Sequence, residues 1–361
     1  MESVIESKTA ITGIGLVSVL GQTAGETWNS LLAGQAISDH SRVPGFSNPD
    51  RAIGLAKKAA CESLARAGWT ESVCGEPDSA LFVATSRGVI ESWLTAGMNL
   101  CGLAQIEVEL AWFLRFGLGP RLTVSCACSS GLHALIRAAM AIASGEARRA
   151  LVVAVESPVH PLFVSSFKRL GVLAPEGYGC RPFDQARKGF VLSEAAAAIC
   201  LESAGEASAR PIAFIDRWAL GGDGTHLTGG DPGGACLRAL LGRVIHNQPI
   251  DLIHAHGTGT ETHDPMELNA LESNALGSPA VYSHKGAMGH TIGAAGLISI
   301  VLNCLAHEHQ IVPPNPRTNR PIPSSLRIPQ NSESLRVKRS IAIATGFGGP
   351  ISVVGMESMA M

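Results

Sequence analysis

Residues 123–132 have the sequence TVSCACSSGL, in which an apolar run ends in small residues around two cysteines. A long apolar, alanine-rich pattern follows, so the stretch predicts a strand, a tight turn and then a helix. A helix N-terminus carries partial positive charge, and we expect it to lower the pKa of a nearby thiol. A buried structural cysteine is the alternative, because Cys is among the residues most often buried. The rest of the chain decides between these two interpretations.

The composition indicates a large buried core and excludes several classes of function. The 361 residues are 46% hydrophobic and 16% charged, with a net charge of −2, which gives no support for nucleic-acid binding. The first residues lack the apolar core of a signal peptide, and no uninterrupted apolar run reaches transmembrane length. The nine cysteines are odd in number and irregularly spaced. We therefore expect free thiols, a cytoplasmic protein and no membrane span.

Two short patterns resemble parts of cofactor-binding motifs but lack the other residues that those motifs need. Cys126 and Cys128 form C-x-C, but no second cysteine pair stands at the spacing of a zinc site. Residues 13–15 read GIG, and the third glycine of a dinucleotide-binding fingerprint is missing. We expect neither a metal site nor a Rossmann site.

Apolar runs alternate with helical patterns along the whole chain, which is typical of α/β layers. The halves 1–205 and 206–361 carry comparable series of elements and predict a duplicated architecture. Strands are predicted near residues 10–18, 80–85, 150–155, 212–220, 252–256, 340–345 and 351–356, and helices near 26–32, 52–67, 132–144, 233–244, 266–276 and 297–307.

Three further segments place titratable groups among apolar residues and glycines. They are HAHGTGT at 254–260, followed by Asp264, SHKGAMGHTIGAAG at 283–296, and GFGGP at 346–350. Each taken alone would be read as structural. Together with a cysteine they supply what one reaction needs: a positive environment for a thiol, N–H donors for an oxyanion, and imidazoles that stabilise an enolate.

These motifs, in this order, resemble the β-ketoacyl-[acyl carrier protein] synthases of the thiolase superfamily, of the elongating Cys-His-His type. The resemblance covers nearly the whole chain and makes Cys128, not Cys126, the nucleophile. It implies a thiolase-like, duplicated five-layer αβαβα fold with two mixed sheets around a central helix layer. The matching segments are 127–130 (ACSS), 181–184 (RPFD), 189–194 (GFVLSE), 256–260 (HGTGT) with Asp264, Lys285, 289–290 (GH) and 346–349 (GFGG).

The resemblance also implies a role for each matched residue at the reacting centre. Cys128 would carry the acyl group, and the backbone N–H groups of Cys128 and Phe347 would form the oxyanion hole. Phe347, between Gly346 and Gly348, would gate access. His256 and His290 would stabilise the enolate that forms when malonyl-acyl carrier protein loses CO₂.

The remaining implied roles concern support and delivery. Lys285 would hold His290 or the electrostatic balance of the site, and Thr258 and Thr260 would bind the pantetheine arm. Asp264 and Glu194 would support the structure. No metal or redox cofactor is implied, because the substrate arrives on the phosphopantetheine arm of an acyl carrier protein.

The sequence departs from the family pattern at two points near the site. The family's glutamate fourteen residues after the lysine is Ser299 here, and its Thr-Asn after the glycines of the gate loop is Pro350-Ile351. Without a carboxylate partner, burial would lower the pKa of Lys285. The chain is also shortened before residue 52 and between residues 87 and 122, where the family builds its acyl pocket. The acyl length therefore stays open.

The activity implied is decarboxylative condensation of an acyl thioester with malonyl-acyl carrier protein, in fatty-acid, polyketide or polyene biosynthesis. We expect a homodimer, with a heterodimer of this chain and a synthase-like partner as an alternative. A non-decarboxylating acyltransferase is a second alternative. A thiolase is disfavoured, because the gate loop lacks a second cysteine.

Overall fold

The computed structural model describes residues 8–47, 51–90, 102–227 and 229–359. The strands in these residues are β1 (Thr9–Ser18), β2 (Ser79–Ala84), β3 (Arg121–Val124), β4 (Arg149–Glu156), β5 (Ala195–Ser203), β6 (Ala213–Gly222), β7 (Leu252–His254), β8 (Ala280–Tyr282), β9 (Ile311–Val312), β10 (Glu333–Ser334), β11 (Arg339–Thr345) and β12 (Pro350–Glu357). The α-helices are α1 (Ala24–Leu32), α2 (Arg51–Ala67), α3 (Glu71–Cys74), α4 (Gln105–Phe113), α5 (Ser130–Ala143), α6 (Pro161–Arg169), α7 (Ala235–Ile245), α8 (His263–Glu272), α9 (Lys285–Met288) and α10 (Ala295–His309).

The order of the strands shows the duplication. The main sheet runs β3-β2-β4-β5-β1-β6-β12-β11-β7-β8, so the second half repeats the order of the first in mirror image. The halves meet where β1 pairs with β6 over three residue pairs, from Thr9–Ile215 to Ile11–Ala213. The predicted duplicated α/β architecture is confirmed, but the two expected sheets are the two halves of one ten-stranded sheet, which this short pairing joins.

Helices separate and cover the two sheet halves. Helices α5 and α10 lie in a buried core between the halves, which is the predicted central helix layer. Helices α2 and α4 pack on the outer face of the first half, and α7 and α8 pack on the outer face of the second. The result is five layers, with the most apolar helices in the middle.

The segment Ile292–His309, which includes α10, is long and apolar enough to cross a membrane by length and composition. However, 89% of it is buried inside the protein. A helix that is apolar all round is expected in the middle of a layered fold, where both of its faces contact other layers. The burial therefore accounts for the apolar composition of this segment.

The GIG pattern of residues 13–15 lies inside β1 and serves packing. A Cβ atom at Gly15 would lie 2.1 Å from the backbone oxygen of Ala59 in α2. Glycine at this position lets the helix approach the strand closely. The close approach of α2 explains the glycine at position 15.

Candidate active site

The predicted strand–turn–helix around Cys128 is confirmed. Strand β3 ends at Val124, helix α5 begins at Ser130, and Cys128 lies in the turn between them. Ala127 has a φ of 49°, in the left-handed region that non-glycine residues rarely adopt. Such local strain at a tight turn is common at functional sites, where surrounding structure holds it in place.

The expectation that the pKa of the Cys128 thiol is lowered is wrong. Burial raises the pKa of Cys128 to about 11, although the charges of Lys285 and Arg87 and the backbone N–H of Phe347 act in the opposite direction. The side chain is only 6% exposed, so desolvation of the thiolate outweighs the positive surroundings. The resting site therefore holds a protonated thiol at neutral pH.

Two carboxylates on α8 hold the loop that carries His256 by accepting hydrogen bonds from its backbone. Glu267 accepts the backbone N–H of His256 at 2.6 Å and that of Gly257 at 2.8 Å. Gly257 has a φ of +39°, and a Cβ atom there would lie 2.7 Å from Cβ of Ser283. The loop thus needs a glycine at this position, and it is tied to the helix by a fully buried carboxylate.

Asp264, one helical turn before Glu267, makes the second set of contacts. Its carboxylate accepts the backbone N–H groups of Thr258 and Gly259 at 3.1 Å and of Phe183 at 2.7 Å. Burial raises the pKa of Asp264 to about 6. These contacts fit the supporting position expected for Asp264. The hydroxyls of Thr258 and Thr260 lie 3.0 Å apart beside it.

The structure brings the two histidines of the motifs together. The ring centroids of His256 and His290 are 5.6 Å apart, with an interplanar angle of 84°. Burial lowers the pKa of both rings well below the usual value, so both are neutral at neutral pH. Nδ1 of His256 accepts the backbone N–H of Thr345 at 3.4 Å, which leaves the proton of the neutral ring on Nε2.

Lys285 lies in the same cluster and contacts His256. Its Nζ donates a hydrogen bond to the backbone oxygen of His256, and the side chain is 1% exposed. Burial lowers the pKa of Lys285 to about 8, and the nearby carboxylate of Glu267 opposes that shift. Of the two expected roles for Lys285, the contact with His256 fits the electrostatic one better than direct support of His290.

The GFGG loop lies against Cys128. The backbone N–H of Phe347 is directed at the Cys128 thiol, and the ring of Phe347 lies 6.2 Å from that of Phe167. Gly346 N–H donates to the backbone oxygen of Pro350 at 2.8 Å, and Gly348 has a φ of +83°. The glycines permit the tight turn that presents the Phe347 N–H to the sulfur.

A chain of neutral polar groups lies beside Lys285, where the family glutamate is replaced. The Ser299 hydroxyl itself donates within α10, to Ala295 O at 3.1 Å. Nearby, Nε2 of His254 lies 2.8 Å from Nδ1 of His284, and Nδ1 of His254 lies 3.2 Å from Oδ1 of Asn303.

A backbone carbonyl determines which groups donate and which accept in this hydrogen-bond network. The Asn303 amide nitrogen donates to the carbonyl oxygen of Ile341 at 3.3 Å, and a carbonyl can only accept. Oδ1 of Asn303 therefore accepts from His254, whose Nε2 in turn accepts from His284. Burial lowers the pKa of His254 to about 3, so this ring is neutral at neutral pH. The quoted motifs contain His254 and His284, but they do not show that the two rings meet.

Glu194 lies away from the reacting groups, in a buried ion pair. Its carboxylate is 2.6 Å from the guanidinium of Arg51 and accepts the backbone N–H of Val43 at 3.0 Å. These contacts tie the start of α2 and the preceding loop to the GFVLSE segment. The geometry fits the expected structural position of Glu194.

The cysteines and the possible metal ligands of the described residues can be compared directly in the structure. All eight cysteines that the structure describes are free thiols. Within the described ranges, no group of three or more His, Cys, Asp or Glu side chains is arranged to hold a metal ion.

Two family profiles match this chain. The profile described as "Beta-ketoacyl synthase, N-terminal domain" matches residues 46–207, and "Beta-ketoacyl synthase, C-terminal domain" matches residues 212–319. The chain belongs to the β-ketoacyl synthase family. The two matches include the nucleophile turn, both histidine motifs and Lys285, and the family recognised from the motifs is confirmed.

Individual relatives agree with the profiles. The chain is 35% identical over 209 residues to 3-oxoacyl-[acyl-carrier-protein] synthase 2 of Mycobacterium bovis, a match covering 54% of this chain and 50% of that protein. The matched region makes up half the length of that relative. With 3-oxoacyl-[acyl-carrier-protein] synthase 2 of Coxiella burnetii it is 28% identical, over 95% of this chain and 96% of that protein.

A solved structure supports the fold over the full length. The ishigamide ketosynthase/chain length factor superposes with a TM-score of 0.87 at 26% identity, covering 98% of this chain and 100% of that one. The thiolase-like ketosynthase fold is therefore shared over the part of the chain that the structure describes.

Proposed function

We propose that this chain catalyses the decarboxylative Claisen condensation of an acyl thioester with malonyl-acyl carrier protein, giving β-ketoacyl-acyl carrier protein. One observation carries the proposal. The thiol of Cys128 faces the backbone N–H of Phe347, and the neutral imidazoles of His256 and His290 pack against each other in the same cluster of groups that includes Lys285. We assign the nucleophile to the half 1–205 and the histidines, Lys285 and gate loop to the half 206–361.

In the first step Cys128 takes the acyl group from its carrier. A bond forms between the sulfur and the acyl carbon, and the bond from that carbon to the carrier sulfur breaks. The proton of the thiol ends on the departing carrier thiol. The N–H groups of Cys128 and Phe347 stabilise the negative oxygen of the tetrahedral intermediate.

In the second step the malonyl group loses CO₂. The electron pair of the broken C–C bond forms an enolate, whose oxygen accepts hydrogen bonds from His256 and His290. The carbanion bonds to the acyl carbon, the bond to Cys128 breaks, and the sulfur takes a proton from water. A neutral imidazole suits this task, because it donates a hydrogen bond without having to lose a charge.

An exposed sheet edge supports an assembly of two chains. Strand β3 is an end strand of the main sheet, and the apolar side chains of Leu118, Leu122 and Trp112 near it are 97%, 40% and 70% exposed. Exposed apolar residues beside an open strand edge favour pairing with another chain. A second copy of this chain is the first candidate. The ketosynthase/chain length factor neighbour makes a heterodimer with a synthase-like chain the alternative.

The implied cofactor and location follow from the same chemistry. We propose that the phosphopantetheine arm of the acyl carrier protein delivers both substrates and that Thr258 and Thr260 bind it. The reaction as written needs no resident metal or redox group. Free thiols at all eight described cysteines favour a reducing compartment such as the cytoplasm.

The proposal is tested by separating the two steps. Purified protein is loaded with hexanoyl-acyl carrier protein, and CO₂ release from malonyl-acyl carrier protein is then followed. His256→Ala and His290→Ala should still acquire the hexanoyl group but release CO₂ about 100-fold more slowly, because each removes a donor to the enolate. His246→Asn, on the surface at the end of α7, serves as the control.

Three outcomes contradict the proposal in different ways. Unchanged CO₂ release in either histidine variant refutes the two-histidine mechanism. Hexanoyl transfer by the natural chain without any CO₂ release favours the non-decarboxylating acyltransferase. Activity that appears only when a synthase-like partner is added favours the heterodimer.

A further inference from the structure

Arg87 lies on the apolar wall beside the nucleophile. Its guanidinium carbon is 4.5 Å from the ring centroid of Phe163 and 5.6 Å from that of Phe167. Both rings belong to the buried cluster that contains Cys128, and the Phe167 ring also contacts Phe347. A cation thus stands among the side chains that would surround an acyl group on Cys128.

The sheet explains how Arg87 comes to be there. Strands β2 and β3 are parallel neighbours, and Ala84 is paired with Val124. Arg87 follows Ala84 by three residues, and Cys128 follows Val124 by four. The carboxyl ends of adjacent parallel strands lie at the same edge of a sheet, so the two side chains leave that edge next to each other. The charge of Arg87 accordingly acts on the thiol.

Arg87 and the neighbouring Glu156 each have a buried polar atom without a hydrogen-bond partner among the described residues. Nε of Arg87 is buried and has no hydrogen-bond partner within residues 8–47, 51–90, 102–227 and 229–359. Arg87 interacts electrostatically with the carboxyl of Glu156, which is 1% exposed. One oxygen of Glu156 accepts the backbone N–H of Ser86, and the other has no partner in the same ranges. Burial raises the pKa of Glu156 to about 7, so at neutral pH this carboxyl only partly balances the guanidinium.

A saturated acyl chain would pack unfavourably against these polar groups. It would remove water from the guanidinium without accepting a hydrogen bond, and an unsatisfied buried charged donor is costly. Phe163 and Phe167 compensate in part through their ring faces. An oxygen acceptor on the acyl chain would make a charge-assisted hydrogen bond instead.

We propose that Arg87 selects acyl groups that carry an oxygen acceptor, either a carbonyl or a carboxylate, in the chain held on Cys128. The inference rests on the proposed function, because it requires an acyl group on that cysteine. It names Arg87 as a residue that determines donor specificity and not as one that takes part in decarboxylation.

The test compares three donors of equal chain length. Hexanoyl-, 3-oxohexanoyl- and 5-carboxypentanoyl-acyl carrier protein are each offered to the purified chain, and the rate of Cys128 acylation is measured by peptide mass spectrometry. The natural chain should acylate with at least one oxygenated donor about tenfold faster than with hexanoyl. A preference for the oxo donor assigns a carbonyl ligand, and a preference for the carboxy donor assigns a carboxylate.

Variants separate the charge from the packing. Arg87→Met keeps the length of the side chain and should abolish the preference, whereas Arg87→Lys should retain part of it. Arg115→Met removes a cation over Trp112, outside the site, and is the matched control that should keep the full preference. Thermal unfolding of each variant shows whether the fold is kept.

Several results would overturn the inference. Equal acylation rates for all three donors, or a preference that survives Arg87→Met, rule out selection by this side chain. A slower malonyl decarboxylation in Arg87→Met with unchanged donor preference would assign the cation to the malonyl group instead. Failure of Cys128 to take any donor would refute the proposed function itself, which is distinguishable from loss of selectivity alone.

Discussion

Replacing His254 by glutamine tests the neutral hydrogen-bond network beside Lys285. His254 is fully buried between His284 and Asn303, and burial lowers its pKa to about 3. Glutamine can also donate to Asn303 and accept from His284, so His254→Gln removes the titrating ring while keeping both kinds of hydrogen bond. The variant isolates the free energy of keeping this histidine neutral.

The sign and size of the effect follow from the two pKa values. The pKa of histidine is 6.5 in the unfolded chain and about 3 at His254 in the folded protein. As the pH falls below 6.5, the unfolded chain takes up a proton that the folded chain does not, so the free energy of unfolding falls. The lower pH, 5, is about 1.5 units below the pKa of the unfolded histidine. The free energy of unfolding therefore falls by about 2 kcal/mol for this residue between pH 7 and pH 5.

The assay is urea unfolding of both proteins at pH 7 and at pH 5. His254→Gln should lose about 2 kcal/mol less than the natural chain between the two pH values. Glu156→Gln is a control of opposite sign. The pKa of Glu156 is about 7 in the folded protein and 4.5 in the unfolded chain, so its burial becomes less costly as the pH falls. Removing Glu156 should therefore increase the loss, also by about 2 kcal/mol. An identical pH dependence in the natural chain and His254→Gln would refute the reasoning.

Three further substitutions test separate parts of the account. Glu194→Gln leaves the buried guanidinium of Arg51 without its carboxylate and should lower the free energy of unfolding by about 3 kcal/mol, measured in urea. Lys285→Met removes a cation that lowers the pKa of Cys128, so carbamidomethylation of that thiol at pH 9 should slow by roughly tenfold; an unchanged rate would contradict the electrostatic role. Phe347→Ala keeps the backbone N–H but removes the gate ring, so acylation should continue while the discrimination between long and short acyl donors falls; complete loss of acylation would show that the ring itself is required.

Much of the fold was predictable because its strands are buried and its turns are rich in small residues. The strand of residues 10–18 and the helix of residues 52–67 were predicted to within a residue of β1 and α2. Helix α4 (Gln105–Phe113) was missed, since Val108 and Trp112 leave apolar side chains exposed and obscure the helical period. Helix α6 (Pro161–Arg169) begins at a proline capped by His160, and such a proline reads as a loop signal unless the cap is recognised.

The residues of the site could be predicted from the motifs. The pKa values of those residues could not. The sequence placed Cys128 at a helix start, where the helix favours a thiolate. The extent of burial that raises the thiol pKa depends on packing from both halves. Glu267 shows the same limit: its spacing from Asp264 puts both carboxylates on one face of α8, yet only the folded loop reveals which N–H groups they accept. The shortened region before residue 122 includes residues 91–101, which lie outside the described ranges.

The central claim is that Cys128, and not its neighbour Cys126, carries the acyl group. The most direct test is peptide mass spectrometry of the natural chain, Cys128→Ala and Cys126→Ala after incubation with hexanoyl-acyl carrier protein. The account predicts one hexanoyl group on the tryptic peptide of residues 122–137 in the natural chain, retained in Cys126→Ala and absent in Cys128→Ala. A hexanoyl group that persists in Cys128→Ala and disappears in Cys126→Ala would contradict it.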